Sequence, residues 1–438
     1  VKRILGLLIL LSLAAGLLPA AAADGDPASA PDKVFIIPIR EDISAPLTYL
    51  VRRGVKAAMD AQADVLVLDM DTNGGLVSVT EEIIEILGQF KGRTVTYVNR
   101  KAFSAGAFIA FATQKIYMAP QSVIGAAAPI LMAPGGSGVQ GMDPTLEAKT
   151  VSAISALVRA NAEKNGHNVD VADAMVKKTK ELVIDGKTLN EKGQILTLTN
   201  KEAEQEYGNP PKPLLSLGTV ESLEDLLKII APGGAQVTRI EPTGAEQFAF
   251  WLNAISPILL IIGAIGIYIE FKTPGFGLPG IIGVIAFALY FLGGYVAGLS
   301  GLEWLALFAL GLALVALELF VFPGTVIVGL AGAVLILITI IMAMVDYYPG
   351  TPKMPTLPQL RLPLMNLLIA TIGGGVLIWV LSRVLPRTPV YSRLVSQSAS
   401  GVATVQSLQQ RQTARLGQVG VTVSPLHPGG KVQFGDEI

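Results

Sequence analysis

The 438-residue sequence predicts an exported α/β domain, an α-helical multi-span membrane domain and a short β-rich tail. Three observations predict it. Hydrophobic residues make up 51% of the chain and charged residues 15%, below the roughly 25% of an average soluble domain, and mean hydropathy is +0.55. Strand-like apolar runs alternate with helical periodicity over residues 33–235, whereas long apolar stretches with few charges fill 248–385. The first residues carry an export pattern.

Residues 1–23 open with Lys2 and Arg3, continue apolar from Ile4 to Leu18 and end in Ala21-Ala22-Ala23. Charged, apolar, then small is the order of a secretory signal peptide, with cleavage expected near Ala23; an uncleaved anchor is the alternative, and both export the α/β domain. Residues 24–32 read as a flexible leader. Over 33–235 the runs 34–39 (VFIIPI), 65–70 (VLVLDM) and 94–98 (TVTYV) read as buried strands. Between them, Leu47, Leu50, Val51, Val55 and Met59, and then Val79, Ile83, Ile86 and Leu87, recur at helical spacing. Such alternation predicts a parallel sheet with crossover helices.

A linker over 236–247 leads to the membrane domain at 248–385. Five spans fit there, at 249–269 and about 281–299, 303–321, 325–345 and 364–382. An odd number places the C-terminus opposite the exported domain. From Arg383 onward six basic residues face two acidic ones, which puts this tail in the cytoplasm by the positive-inside rule. A weak internal repeat sets Glu270 before Pro274-Gly275 and Glu318 before Pro323-Gly324. It reads either as a re-entrant turn or packing site, or as Pro-Gly ending a span at the interface. A second linker covers 386–412, and 413–438 holds short β-like pieces.

Composition also excludes chemistry. Lys plus Arg number 33 and Asp plus Glu 34, a net charge of -1, so no nucleic-acid partner is expected. Without Cys there is no thiolate nucleophile or Cys-built metal site, and His167 and His427 are the only imidazoles. No metal and no cofactor is expected; catalysis falls to Ser, Thr, Lys, Tyr or carboxylates.

Asp71-Thr72-Asn73-Gly74-Gly75-Leu76 follows the second strand, where paired glycines let backbone N–H groups face a ligand, and where open α/β sheets bind. Ser104-Ala105-Gly106-Ala107 follows the third strand and opens an apolar helix. A serine there is either an exposed nucleophile or an N-cap. Its base must be found outside imidazole, since His167 lies in a polar turn and His427 in the tail. Lysine serves where desolvation or positive potential disfavours its ammonium, and Lys149, read as the start of a helix with Val151, Ile154, Leu157 and Val158 as its apolar face, stands in such a place. Lys101 and Lys115 compete with it, and an ordinary surface lysine is the plain alternative.

Together Gly74-Gly75, Ser104 in SAGAFIA, Lys149 before a helix, LTLTNKEAEQEYG at 196–208 and the C-terminal spans resemble the long-form NfeD membrane proteases, relatives of ClpP and signal peptide peptidase A. The resemblance implies a ClpP/crotonase-like fold, Ser104 as nucleophile, Lys149 as general base, and an oxyanion hole at the Gly75 and Ala105 amides beside Gly74. It also implies an OB-like C-terminal domain of which 413–438 would be the start, a stomatin-like (SPFH-type) membrane partner whose hydrophobic tail is a substrate, and a homo-oligomer, dimer or larger. The function it implies is a membrane-anchored serine endopeptidase cleaving hydrophobic peptide beside membrane lipid, with a non-catalytic scaffold for a stomatin-like assembly as the alternative. A crotonase-type acyl-CoA enzyme shares the fold, but export removes it from intracellular coenzyme A. The Gly/Pro-rich stretch Leu131 to Thr145 reads as a lid over the site or a surface loop.

Overall fold

The computed structural model describes residues 31–132, 139–140, 143–272, 277–299, 301–350, 354–384 and, in the tail, 409–410, 413–414, 417–425, 427 and 429–434. The expected signal peptide, most of the leader and much of the expected lid lie outside the described residues. Two compact units divide the chain, Val1–Glu246 with Tyr348–Gly350 and Gln247–Tyr347 with Thr351–Ile438.

The first unit is built on a seven-stranded sheet. Its strands are β1 (Asp32–Ile43), β2 (Val65–Gly75), β3 (Arg93–Phe103), β4 (Lys115–Met118), β5 (Val123–Gly125), β6 (Thr197–Thr199) and β7 (Ala235–Arg239). They are ordered β6-β5-β3-β2-β1-β7, with β4 pairing β3 off this path. All pairs are parallel except β5 with β6. Strand β7 makes residues 236–239, read from composition as linker, part of the sheet; its side chains are mostly exposed at an edge, so no apolar run announced it.

The longer helices of this unit are α1 (Ala45–Asp60), α2 (Val77–Leu87), α3 (Ala105–Phe111), α4 (Pro144–Asn165), α5 (Val169–Ala174) and α6 (Leu223–Ile230). Alternate residues of β2 enter opposite cores: Leu66, Leu68 and Met70 pack with Val51 of α1, Ile83 of α2 and Phe108 of α3, while Val65 and Val67 pack with Leu223 and Leu226 of α6. Covering both faces is why these strands read as unbroken apolar runs.

The second unit contains α7 (Ala245–Ala254, which begins at the unit boundary), α8 (Ser256–Lys272), α9 (Leu278–Val296), α10 (Glu303–Phe320), α11 (Ile327–Met342) and α12 (Leu357–Val384). Among the described residues α9, α10 and α12 are long and apolar enough to cross a membrane. Beside the about five spans expected from hydropathy, length and composition of the described residues give these three, or four if α7 and α8, bent by 67°, form one broken span. The break falls at Ile255, and Pro257 sits in the first turn of α8, where its missing N–H costs nothing but where it could not continue α7. Helix α11 has 16 residues, about 24 Å at 1.5 Å each, short of a hydrocarbon core of about 30 Å. In the tail the described residues hold one antiparallel pair, β8 (Val421–Thr422) with β9 (Val432–Gln433). A two-residue pair does not constitute a barrel.

Candidate active site

Ser104 stands where β3 turns into α3, with φ of 52° and ψ of -119°. A positive φ is uncommon for a residue with a side chain, and holding it there costs about 1–3 kcal/mol. The surroundings overcome that cost: all seven residues of α3 are buried, and each large apolar side chain among them, such as Phe108, Ile109 or Phe111, contributes about 1.5–3 kcal/mol. The backbone N–H of Ser104 donates to Gly125 O on β5 (3.0 Å), which fixes the corner from a second strand. Ser104 is the N-cap residue of α3, but its side chain makes no capping hydrogen bond there.

The glycine pair meets this serine directly. Gly74 has φ of 107°, and a Cβ built there would lie 2.5 Å from Ser104 Cβ and 3.1 Å from Oγ. A Cβ on Gly75 would lie 2.2 Å from Ile43 O. Both positions therefore require glycine. Leu76 N–H donates to Ile43 O (3.0 Å), and Ile43 pairs with Gly75 across the parallel ladder. By the alternation of that ladder the Gly75 N–H is turned away from β1, toward the side where β3 ends and Ser104 begins. Ala105 is the first residue of α3, so its N–H has no acceptor within the helix.

Thr72, which sequence reasoning did not single out, ties the two halves together. Its Oγ1 accepts from Gly74 N–H (3.0 Å) and its Cγ2 lies 2.6 Å from where a Cβ on Gly106 would be. One buried side chain thus spaces α3 from the glycine turn. The cue was available in the sequence as an ST-turn ahead of glycines.

The chain as a whole has relatives among known proteins. Residues 33–240 match NfeD1b, N-terminal domain, and residues 254–383 match the NfeD integral membrane domain. The chain is 33% identical over 408 residues to membrane protein NfeD1b of Bacillus subtilis (strain 168), covering 92% of this chain and 85% of that relative. This chain belongs to the NfeD family. As such, with its apolar helices, it is a multi-pass membrane protein. It is 23% identical over 292 residues to membrane-bound protease PH1510 of Pyrococcus horikoshii, spanning 61% of this chain and 59% of that protein. Among solved structures it is similar to a lysine-to-alanine variant of the 1510-N membrane-bound stomatin-specific protease in complex with a substrate peptide, with 21% identity, a TM-score of 0.40, and coverage of 50% of this chain and 96% of that one.

The lysines of this NfeD-family chain fall in different places. Lys115 pairs with Val95, nine residues before Ser104 on β3, which at about 3.3 Å per residue is on the order of 30 Å away. Lys101 alternates with Ala102 and shares the sheet face of Tyr97, opposite the face that carries α3. Lys149 lies on α4, exposed, with no hydrogen bond or ion pair among the described residues. The structure therefore brings Gly74, Gly75, Ser104 and Ala105 together and leaves Lys149 out of hydrogen-bond contact with them. Helix α4 also starts earlier than expected, at Pro144, where Asp143 caps it by accepting from Thr145 N (2.9 Å) and Leu146 N (3.2 Å). Lys149 is consequently in the second turn, beyond the turn where the helix dipole acts most strongly.

The buried face of α4 is Ile154, Ser155, Val158 and Ala162; Leu157, expected on it, is exposed. Polar Ser155 is buried because it donates to Asp173, which also holds Lys177 (2.9 Å). Burial raises the Asp173 pKa, but hydrogen bonds from Ser155 and Lys177 outweigh it and leave it below the usual carboxylate value of 3.8. His167 Nε2–H donates to Thr113 O (2.6 Å) beyond the C-terminal end of α3, while Ser104 is at its N-terminal end, about 10 Å away along seven residues. This rules out His167 as the serine's base.

Proposed function

We propose that this NfeD-family chain is a membrane-anchored serine endopeptidase that cleaves hydrophobic peptide segments beside the membrane. One observation carries the reading: Ser104 is held at positive φ on a strand-to-helix corner, its side chain uncommitted to capping, with Gly74 packed on its Cβ. Ser104 Oγ attacks the peptide carbonyl, and the Lys149 amine takes its proton. The Gly75 and Ala105 N–H groups, beside Gly74, stabilise the oxyanion. Collapse expels the amine with a proton from Lys149, and water then hydrolyses the ester at Ser104. Lys149 holds the base role because the other lysines considered lie along the strand or across the sheet. Leu76, Ile130 and Leu146 are exposed apolar side chains close in sequence to Gly75, Gly125 and Lys149, which supports an apolar substrate.

On the family resemblance, the partner is a stomatin-like membrane protein that supplies the peptide, and the protease domains self-associate. The tail at 413–438 is read as the start of an OB-like domain. The signal-like first segment and the basic residues after Ser382 support an extracytoplasmic protease domain and a cytoplasmic tail.

A second reading, a non-catalytic scaffold for a stomatin-like assembly, is favoured by one observation, an exposed Lys149 with no hydrogen bond or ion pair among the described residues. The two separate in one experiment: cleavage of a hydrophobic peptide library by the full-length chain in lipid nanodiscs beside Ser104→Ala and Lys149→Ala. Loss of cleavage in both variants, with circular dichroism unchanged, supports the protease. Partner assembly that survives both substitutions, with no cleavage by the unsubstituted chain, supports the scaffold.

A further inference from the structure

The membrane unit repeats one device. Glu270, near the end of α8, accepts from Gly277 N (2.8 Å) and Gly280 N (3.0 Å) at the start of α9. Glu318, near the end of α10, accepts from Thr325 Oγ1 (2.5 Å), Val326 N (2.8 Å) and Gly329 N (3.3 Å) at the start of α11. A Cβ on Gly280 or Gly329 would lie 2.8 Å from the respective glutamate side chain. Helix contacts repeat as well, Gly266 against Gly283 and Gly311 against Gly332. Each hairpin is thus closed by a carboxylate that reaches across its own turn.

The two ends of the α10–α11 hairpin differ in character. Its open end carries Glu303 and Asp346, whereas from Trp304 to Val345 the only charged residue is Glu318, whose carboxylate is committed to the turn. The closed end presents Phe320 (74% exposed), Val321, Phe322, Val326 and Ile327 (77% exposed). Several of its backbone donors are satisfied from within: Val321 and Phe322 N–H donate to Leu317 O (2.9 and 3.0 Å), Thr325 N–H to Phe322 O (3.3 Å), and Val326 and Gly329 N–H to Glu318. In hydrocarbon each unsatisfied group would cost several kcal/mol, so a turn that satisfies these donors internally, pairs its one exposed hydroxyl, Thr325, with Glu318 and otherwise shows apolar side chains is suited to broken backbone at membrane depth. Helix α11 measures about 24 Å, short of a core of about 30 Å.

We infer that α10–α11 is a re-entrant hairpin whose tip ends among lipid acyl chains and does not emerge into water on the far side. Both flanking segments then lie on one face of the membrane, and the hairpin adds no crossing.

The chain has no Cys, so single cysteines report cleanly. Leu302→Cys at the open end and Phe320→Cys and Ile327→Cys at the tip are placed in the full-length chain, in sealed right-side-out and inverted membrane vesicles, and treated with a membrane-impermeant maleimide. Labelling after denaturation in SDS gives the total thiol. The expected result is labelling of Leu302→Cys from one side only and of either tip cysteine from neither, below about a tenth of its denatured value. Labelling of a tip cysteine from either side of sealed vesicles overturns the inference.

Discussion

At Ser104 three residues act as one unit, because Thr72 sets the height of the Gly74 N–H and Gly74 in turn leaves only hydrogen-sized space beside the serine. Gly74→Ala would place a methyl on Ser104 Cβ at a φ that alanine resists; a displacement near 1 Å is enough to lower peptide turnover about 100-fold. Peptide cleavage with thermal melts beside it checks this. Thr72→Val keeps the shape and loses the acceptor, leaving the Gly74 N–H unpaired at a cost of about 1–3 kcal/mol, while Thr72→Ser restores it. Chemical denaturation of the three proteins measures the difference. His167 gives a pH dependence. Burial lowers its pKa from the ordinary 6.5, against the opposing hydrogen bond to Thr113 O, so the unfolded chain binds the proton more readily. Its contribution is complete above pH 6.5 and is lost as pH falls through the lowered folded value. Thermal melts between pH 7.5 and 5 should show this loss, and His167→Asn should flatten it. Ser104 and the glycine pair were legible in the sequence because glycine and a strand-end serine carry a local signature. Thr72 and the Ser155–Asp173 pair were not, since a buried hydroxyl declares its role only once its partner, close in space, is known.

Elements were legible to the extent that their burial was one-sided or complete. β1, β2 and β3 are covered on both faces and the apolar stripes of α1 and α2 on one, so pattern alone located them. Helix α4 was located with a late start because its first two turns are solvent-exposed and carry no periodic signal; the Asp143-Pro144 pair, a cap followed by proline at the first helical position, was the marker available. In the membrane unit hydropathy found the apolar stretches, yet an apolar window is blind to backbone breaks. The break at Ile255 splits one expected span, and Glu318 lies inside another because its charge is used to cap the next helix. Glu318→Ala leaves the donors of Val326 and Gly329 without their acceptor. It should destabilise the chain in detergent by about 1–3 kcal/mol, read as a lower midpoint of thermal unfolding; an unchanged midpoint would remove the carboxylate from the account of the hairpin.

Across the whole molecule, a chain with no Cys and two His has few means of hydrolysing a peptide bond, and the fold places one unusual serine at the end of the sheet where such chemistry is built. Membership of the NfeD family accounts for the joining of an α/β unit to apolar helices in one chain. The central claim is that Ser104 is a nucleophile served by Lys149. The most direct measurement is tryptic peptide mapping of the full-length chain after reaction with a serine-acylating peptidyl β-lactone. The account predicts one ester adduct, on Ser104, absent in Ser104→Ala and formed at least tenfold more slowly in Lys149→Ala. An unmodified Ser104, or an adduct that forms as fast without the Lys149 amine, would contradict it.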